Sequence, residues 1–135
     1  MLDRFDFQLF LQSVHLSHQE TNEDSNTIRQ RVTNARNQQK KRYHHPSFLN
    51  STVPSDQLIQ LCGITKQQLD QLAVTCFHEK WSNNRTQLKI IRIARTITDL
   101  AGTKDITDTA IDEAISWKKH LKHNSQIHPN HTKSP

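Results

Sequence analysis

Apolar residues recur at spacings of three and four through Leu88, Ile91, Ala94, Ile97 and Ala101, and Ile90, Ile93 and Leu100 widen the stripe. That is the period of an amphipathic helix. Ser82, Asn83 and Asn84 precede the stripe with side chains able to accept a helix's first free N–H groups, and Gly102 follows it where a left-handed residue closes a helix. The pattern predicts a helix over 82–102 with one side buried. At about 100° per residue, Arg85, Lys89, Arg92 and Arg95 gather opposite the apolar stripe, Arg95 nearest its edge. Two readings of these cations stand side by side. One is a solvated basic face. The other singles out Arg85, whose place in the first turn lets a planar guanidinium reach a phosphate beside the helix.

The same periodicity organises the rest of the chain. Residues 25–43 predict a helix capped by Ser25 or Asn26, with Ile28, Val32 and Ala35 as a thin apolar stripe. Arg29, Arg31, Arg36, Lys40, Lys41 and Arg42 load it with positive charge. Such a run suits a helix end, where Lys and Arg meet the C-terminal dipole. Contact with a nucleic-acid backbone through Arg29, Arg36, Lys40, Lys41 and Arg42 is the other reading, with Tyr43 and Phe48 near enough to stack on bases. His44-His45-Pro46 breaks the helix, and Pro54-Ser55 opens a short one that Gly63 ends. Thr65 caps a further helix whose buried face is read as Leu69, Leu72, Ala73, Cys76 and Phe77. Thr107 caps a last helix, with Asp108 in its first turn, Ala110, Ile111, Ala114 and Ile115 facing inward, and Trp117 sealing the core.

The ends differ from this helical middle. From Leu2 to Val14, Phe5, Phe7, Leu9 and Leu11 alternate with Asp6, Gln8, Phe10 and Gln12, the period of a strand. A lone strand before a run of helices has no partner, which suggests a piece cut from something larger. Residues 15–24 read as a polar linker, and 121–135 as a disordered tail. The expected organisation is thus a strand and linker over 1–24, a helical domain over 25–120 and the tail. The expected class is all-α, a small bundle of four to five helices.

Composition narrows the function classes. Only two glycines and four prolines interrupt the 135 residues, which favours long helices. Hydrophobic residues make up 33% and mean hydropathy is −0.82, so the expected core is small and flanked by polar segments. No apolar stretch approaches the roughly 20 residues of a membrane span, and the acidic start MLDRFDFQLF lacks a signal peptide's apolar region. A cytoplasmic protein without a membrane partner is expected. Cys62 and Cys76, 14 apart, match no common zinc spacing and read as buried free thiols. His120, His123, His128 and His131 form H-x-x-H pairs without acids or cysteines, so no metal site is expected. A net charge of +5 permits nucleic-acid contact without demanding it.

The wording of the central stretch, Ala94-Arg95-Thr96-Ile97-Thr98-Asp99-Leu100 with Arg85 upstream and Gly102 after it, resembles the C-terminal domain of the magnesium-chelatase-related AAA+ ATPases, the ComM/YifB group. Their typical run is an S-x-R, an apolar stretch, then A-R-T-I-A-D-L-x-G. Leu49-Asn50, the short helix ending in Leu61-Cys62, and Glu113-Ala114 also fit, so the resemblance covers roughly Arg29 to Trp117. Leu2-Asp3-Arg4-Phe5-Asp6 resembles the L-L-D-R-I-D-L segment that ends the ATPase core.

The resemblance implies an AAA+ lid in which Arg85 matches the sensor-2 arginine on the ATP γ-phosphate. Arg4 would match an arginine finger reaching a neighbouring subunit's nucleotide; the bottom-up alternative is that Arg4 merely flanks a strand. It implies ATP and Mg2+ as cofactors of a longer parent, and as partners its own AAA+ core, neighbouring subunits of a homo-oligomeric ring, and DNA. Porphyrin metallation belongs to a related branch. No G-x-x-x-x-G-K-[ST] phosphate loop occurs in this chain, so neither tight ATP binding nor ATP hydrolysis by this chain alone is expected, and no cofactor is expected for it by itself. A stand-alone basic helical nucleic-acid-binding module is the competing reading.

Overall fold

The computed structural model describes residues 23–81 and 83–126, with side chains to residue 119. The expected strand at 2–14, Arg4 within it, most of the linker and residues 127–135 lie outside the described residues. Five helices follow one another: α1 (Ser25–Tyr43), α2 (Ser55–Leu61), α3 (Lys66–His78), α4 (Asn84–Leu100) and α5 (Asp108–Gln126). No strand occurs among the described residues, and the fold is the expected all-α bundle. The backbone of α5 runs past the expected boundary at 120 as far as Gln126.

Helix α4 is the hub, packed mainly against α5 and α1 and also against α3. Ile90, Ile91, Ile93 and Ala94 are buried, meeting Leu58, Leu72 and Cys76 and the α5 residues Ala110, Ile111 and Ala114 in one core. Asn83 caps α4, its Oδ1 accepting from Arg85 N at 3.0 Å. At the other end Gly102 takes φ 74 and donates to Asp99 O, while Thr103 N reaches Thr98 O at 3.1 Å. This left-handed stop is the one its glycine predicts.

Local chemistry sets the other boundaries. Helix α1 is capped by Asp24, one residue before the expected Ser25 or Asn26: the Asp24 carboxylate accepts from Asn26 N. His44 ends it in the left-handed region at φ 50. Only its second half is buried, at Ala35, Gln39 and Tyr43, while Ile28 and Val32 of the expected stripe stand exposed. Thr65 and Gln68 form a capping box on α3, at 3.1 and 3.0 Å. Gln68 also donates to Ile106 O and to Asp108, tying the start of α3 to the start of α5.

Two members of the expected α3 face are misplaced. Leu72 and Cys76 are buried and Leu69 partly so, but Ala73 is exposed and Phe77 is 81% exposed. Leu69, Leu72 and Cys76 fall within about 60° of one another on a helix, whereas Ala73 and Phe77 lie further round. A face packed chiefly against α4 covers the first three and leaves the others in solvent. Cys62 and Cys76 are free and buried as expected.

Candidate functional site

The arginines of α4 divide by what surrounds them. Arg95 is fully buried. Its Nε and Nη2 donate to Asp99 Oδ1 at 3.2 and 2.9 Å, Nη1 donates to the carbonyls of Cys62 and Lys104, and Nη2 also reaches Thr103 O. Arg92 is half-buried and donates to the carbonyls of Asn50 and Val53. Both brace connecting loops against the helix. The reading of Arg92 and Arg95 as a solvated stripe is therefore corrected: α4 is surrounded, so its polar side meets loop carbonyls instead of water.

Asp99 anchors a second arginine. Arg42, from the end of α1, forms a two-pronged pair with it, Nη1 to Oδ2 at 3.0 Å and Nη2 to Oδ1. Asn50 completes the node, donating to Asp99 and Thr96 and accepting from the Tyr43 hydroxyl, while its backbone N–H reaches Gln39. Burial pulls the Arg42 pKa down, yet the hydrogen bonds and charge of Asp99 outweigh it and leave it above the ordinary value. For Arg95 burial is the largest influence and leaves it below. Arg42 is thus engaged within the fold. Tyr43 is buried, and Phe48 is half-buried and stacks on His45 with ring centroids 4.1 Å apart, so neither presents an open stacking platform.

Gly63 fits the same node. It sits at φ 73, and a Cβ there would lie 3.1 Å from Asp105 Oδ1 and 3.6 Å from Arg95 Nη1. Only glycine meets both the backbone sign and the space.

Arg85 is placed differently. It is exposed at the start of α4, on a pocket of about 300 Å³ that Lys80, Trp81, Lys89 and Lys118 also line. None of its lining residues is acidic. The pocket's other wall is the end of α3: Lys80 N donates to Phe77 O and Trp81 N to Cys76 O, with Lys80 itself left-handed at φ 58. Lys89, one turn after Arg85, has its Nζ buried below 1 Å² with no hydrogen-bond partner. Sequence reasoning singled out Arg85 and set Lys89 on the same face, but pointed neither to Lys80 nor to the burial of the Lys89 ammonium. The one available signal was the run His78-Glu79-Lys80-Trp81, a helix end without glycine.

On α1, Arg29, Arg36, Lys40 and Lys41 are exposed, whereas Arg31 pairs with Glu23 at 2.8 Å. No group of three or more His, Cys, Asp or Glu converges among the described residues, and no helix there is long and apolar enough to cross a membrane.

This bundle, with its central A-R-T-I-T-D-L helix and its basic pocket, defines a C-terminal domain of the magnesium-chelatase type. A family model described as magnesium chelatase, subunit ChlI C-terminal, matches residues 22–118, and the chain belongs to that family. It is 31% identical over 121 residues to the uncharacterized protein YifB of Escherichia coli (strain K12). That match takes in 87% of this chain but 23% of YifB, so the chain spans about a quarter of that relative's length. No solved structure matches it.

Proposed function

We propose that this chain is the lid of a ComM-like, magnesium-chelatase-family AAA+ ATPase, a cytoplasmic hexameric ring that processes DNA. The observation that carries the reading is the contrast along α4: Arg92 and Arg95 are consumed by the fold, while Arg85 stands exposed on a cationic pocket. The pocket's chemistry fits a polyphosphate, having several cations and no carboxylate among its lining residues. It offers no ligand set for Mg2+, which would be held by the phosphates and the ATPase core.

ATP, when bound, supplies the γ-phosphoryl group. The contribution of this chain is positioning and charge: Arg85 places its guanidinium against the γ-phosphate, where growing negative charge is stabilised. In the same reading Arg4 acts in trans as the arginine finger on a neighbouring subunit's nucleotide. Lid closure excludes water and couples turnover to movement of the ring. The experiment is ATP turnover by the longer protein this reading requires, carrying Arg85→Ala or Arg4→Ala, with and without DNA. Loss of most turnover in correctly assembled variants supports the reading, and unchanged turnover removes it.

The exposed Arg29, Arg36, Lys40 and Lys41 favour one alternative, a basic helix that binds the nucleic-acid backbone. That reading requires the chain alone to bind DNA with steep salt dependence, and requires the affinity to fall when these four are neutralised. Arg42 is left out of that set because Asp99 engages it.

A further inference from the structure

An unpartnered ammonium is costly to bury, because the lost water has no replacement. Lys89 carries such a group: Nζ has under 1 Å² of accessible surface and no hydrogen-bond partner, and the side chain lines the pocket beside Arg85 and Lys80. Lys80 adds an independent oddity. It occupies the left-handed stop of α3 at φ 58, a place where glycine is preferred, and its side chain lines the same pocket. Two lysines are thus kept where stability alone would favour other residues. Asn83 already takes the Arg85 backbone N–H, so side chains supply most of the pocket's charge.

We propose that Lys89 is a central anion ligand of this pocket, and that with Lys80 it binds a di- or polyphosphate group without help from a phosphate loop. The proposal rests on reading the pocket as a phosphate site, and adds to it a binding activity that this chain has by itself. Covered in the free chain, the Lys89 ammonium reaches a polyphosphate by a change of side-chain rotamer, and there gains the acceptors it lacks within the fold. A pocket of about 300 Å³ has room for a second phosphate, and Lys80 and Arg85 are among the residues that line it. A cationic ligand would instead add like charge to a pocket already lined by Lys80, Arg85, Lys89 and Lys118.

The test is a calorimetric titration of the 135-residue chain with sodium pyrophosphate, alongside thermal melting. Saturable binding is expected. Lys89→Met should weaken it at least tenfold while leaving the melting temperature of the free chain equal or higher, since a buried charge is removed. Lys80→Gly should weaken it severalfold and also raise the melting temperature. Lys66→Ala, on the far end of α3, should bind as the wild type does. Absence of saturable binding, or wild-type affinity in Lys89→Met, overturns the proposal. So does an equal loss in Lys89→Met and Lys66→Ala, which marks a diffuse counter-ion effect. Arg85→Ala separates the two claims. If it abolishes pyrophosphate binding and Lys89→Met does not, the Lys89 assignment fails and the Arg85 reading stands. If Lys89→Met abolishes binding while Arg85→Ala leaves ATP turnover of the longer protein intact, the reverse holds.

Discussion

Asp99 shows what a single side chain decides in this fold. It is 3% exposed and bonded to two arginines and an asparagine drawn from α1, from the loop after it and from α4 itself. Removing one member of a buried charge group leaves the others unpaired, at a cost of about 3–5 kcal/mol. Asp99→Asn should therefore lower the unfolding free energy by about that amount in urea titrations. Glu23→Gln, which breaks only the exposed pair with Arg31, should cost under about 1 kcal/mol. Equal costs would mean the node is solvated and does not brace the core. The sequence marked Arg95 and Asp99 through family wording, but the solvated-face reading misjudged the surroundings of Arg95. A helical wheel separates polar from apolar sides; it does not tell whether the polar side meets water or the carbonyls of other loops.

At the scale of helices, caps and periods were largely legible. Thr65, Gly63, Gly102 and the break at His44 mark ends where the backbone sign or a free N–H demands particular residues. The α1 cap was missed by one residue because Asp24, Ser25 and Asn26 are all competent acceptors. Width of burial was less legible, since it depends on how many neighbours a helix has. Helix α3 has few, so Phe77 stands in solvent. Phe77→Ser should change stability by under about 0.5 kcal/mol, whereas Leu72→Ala should cost about 2–5 kcal/mol. Chemical denaturation of the two variants checks both, and a large loss for Phe77→Ser would place that ring in a core. Thr65→Ala should cost about 1 kcal/mol through the lost capping box.

Across the whole molecule, burial raises the Cys62 and Cys76 thiols above their ordinary value of 9.0 and the Tyr43 hydroxyl above 10.0. The unfolded chain then loses these protons first as pH rises, while the folded chain holds them. Their contribution to stability is constant below about pH 9 and falls above it. Urea midpoints should be flat in this respect through neutral pH and drop between about pH 9 and 10; a rise there would contradict the burial of these groups. The fold class and helix order were readable from period and composition because one long amphipathic helix sets the rest. The pocket was readable only in part. Arg85 lies in a motif and Lys89 follows it by one turn on the same face, but the depth of Lys89 and the turn that brings in Lys80 are set by packing that no spacing encodes.

Helix α4 carries structural arginines at its end, and the proposed function puts Arg85, at its start, against the nucleotide. The direct measurement is ATP turnover of the longer protein with Arg85→Ala, beside its melting temperature. Turnover should fall about 100-fold with melting unchanged, because the Arg85 side chain is exposed and only its backbone N–H serves the Asn83 cap. Turnover that survives, or a loss of turnover matched by a loss of folding, would contradict it.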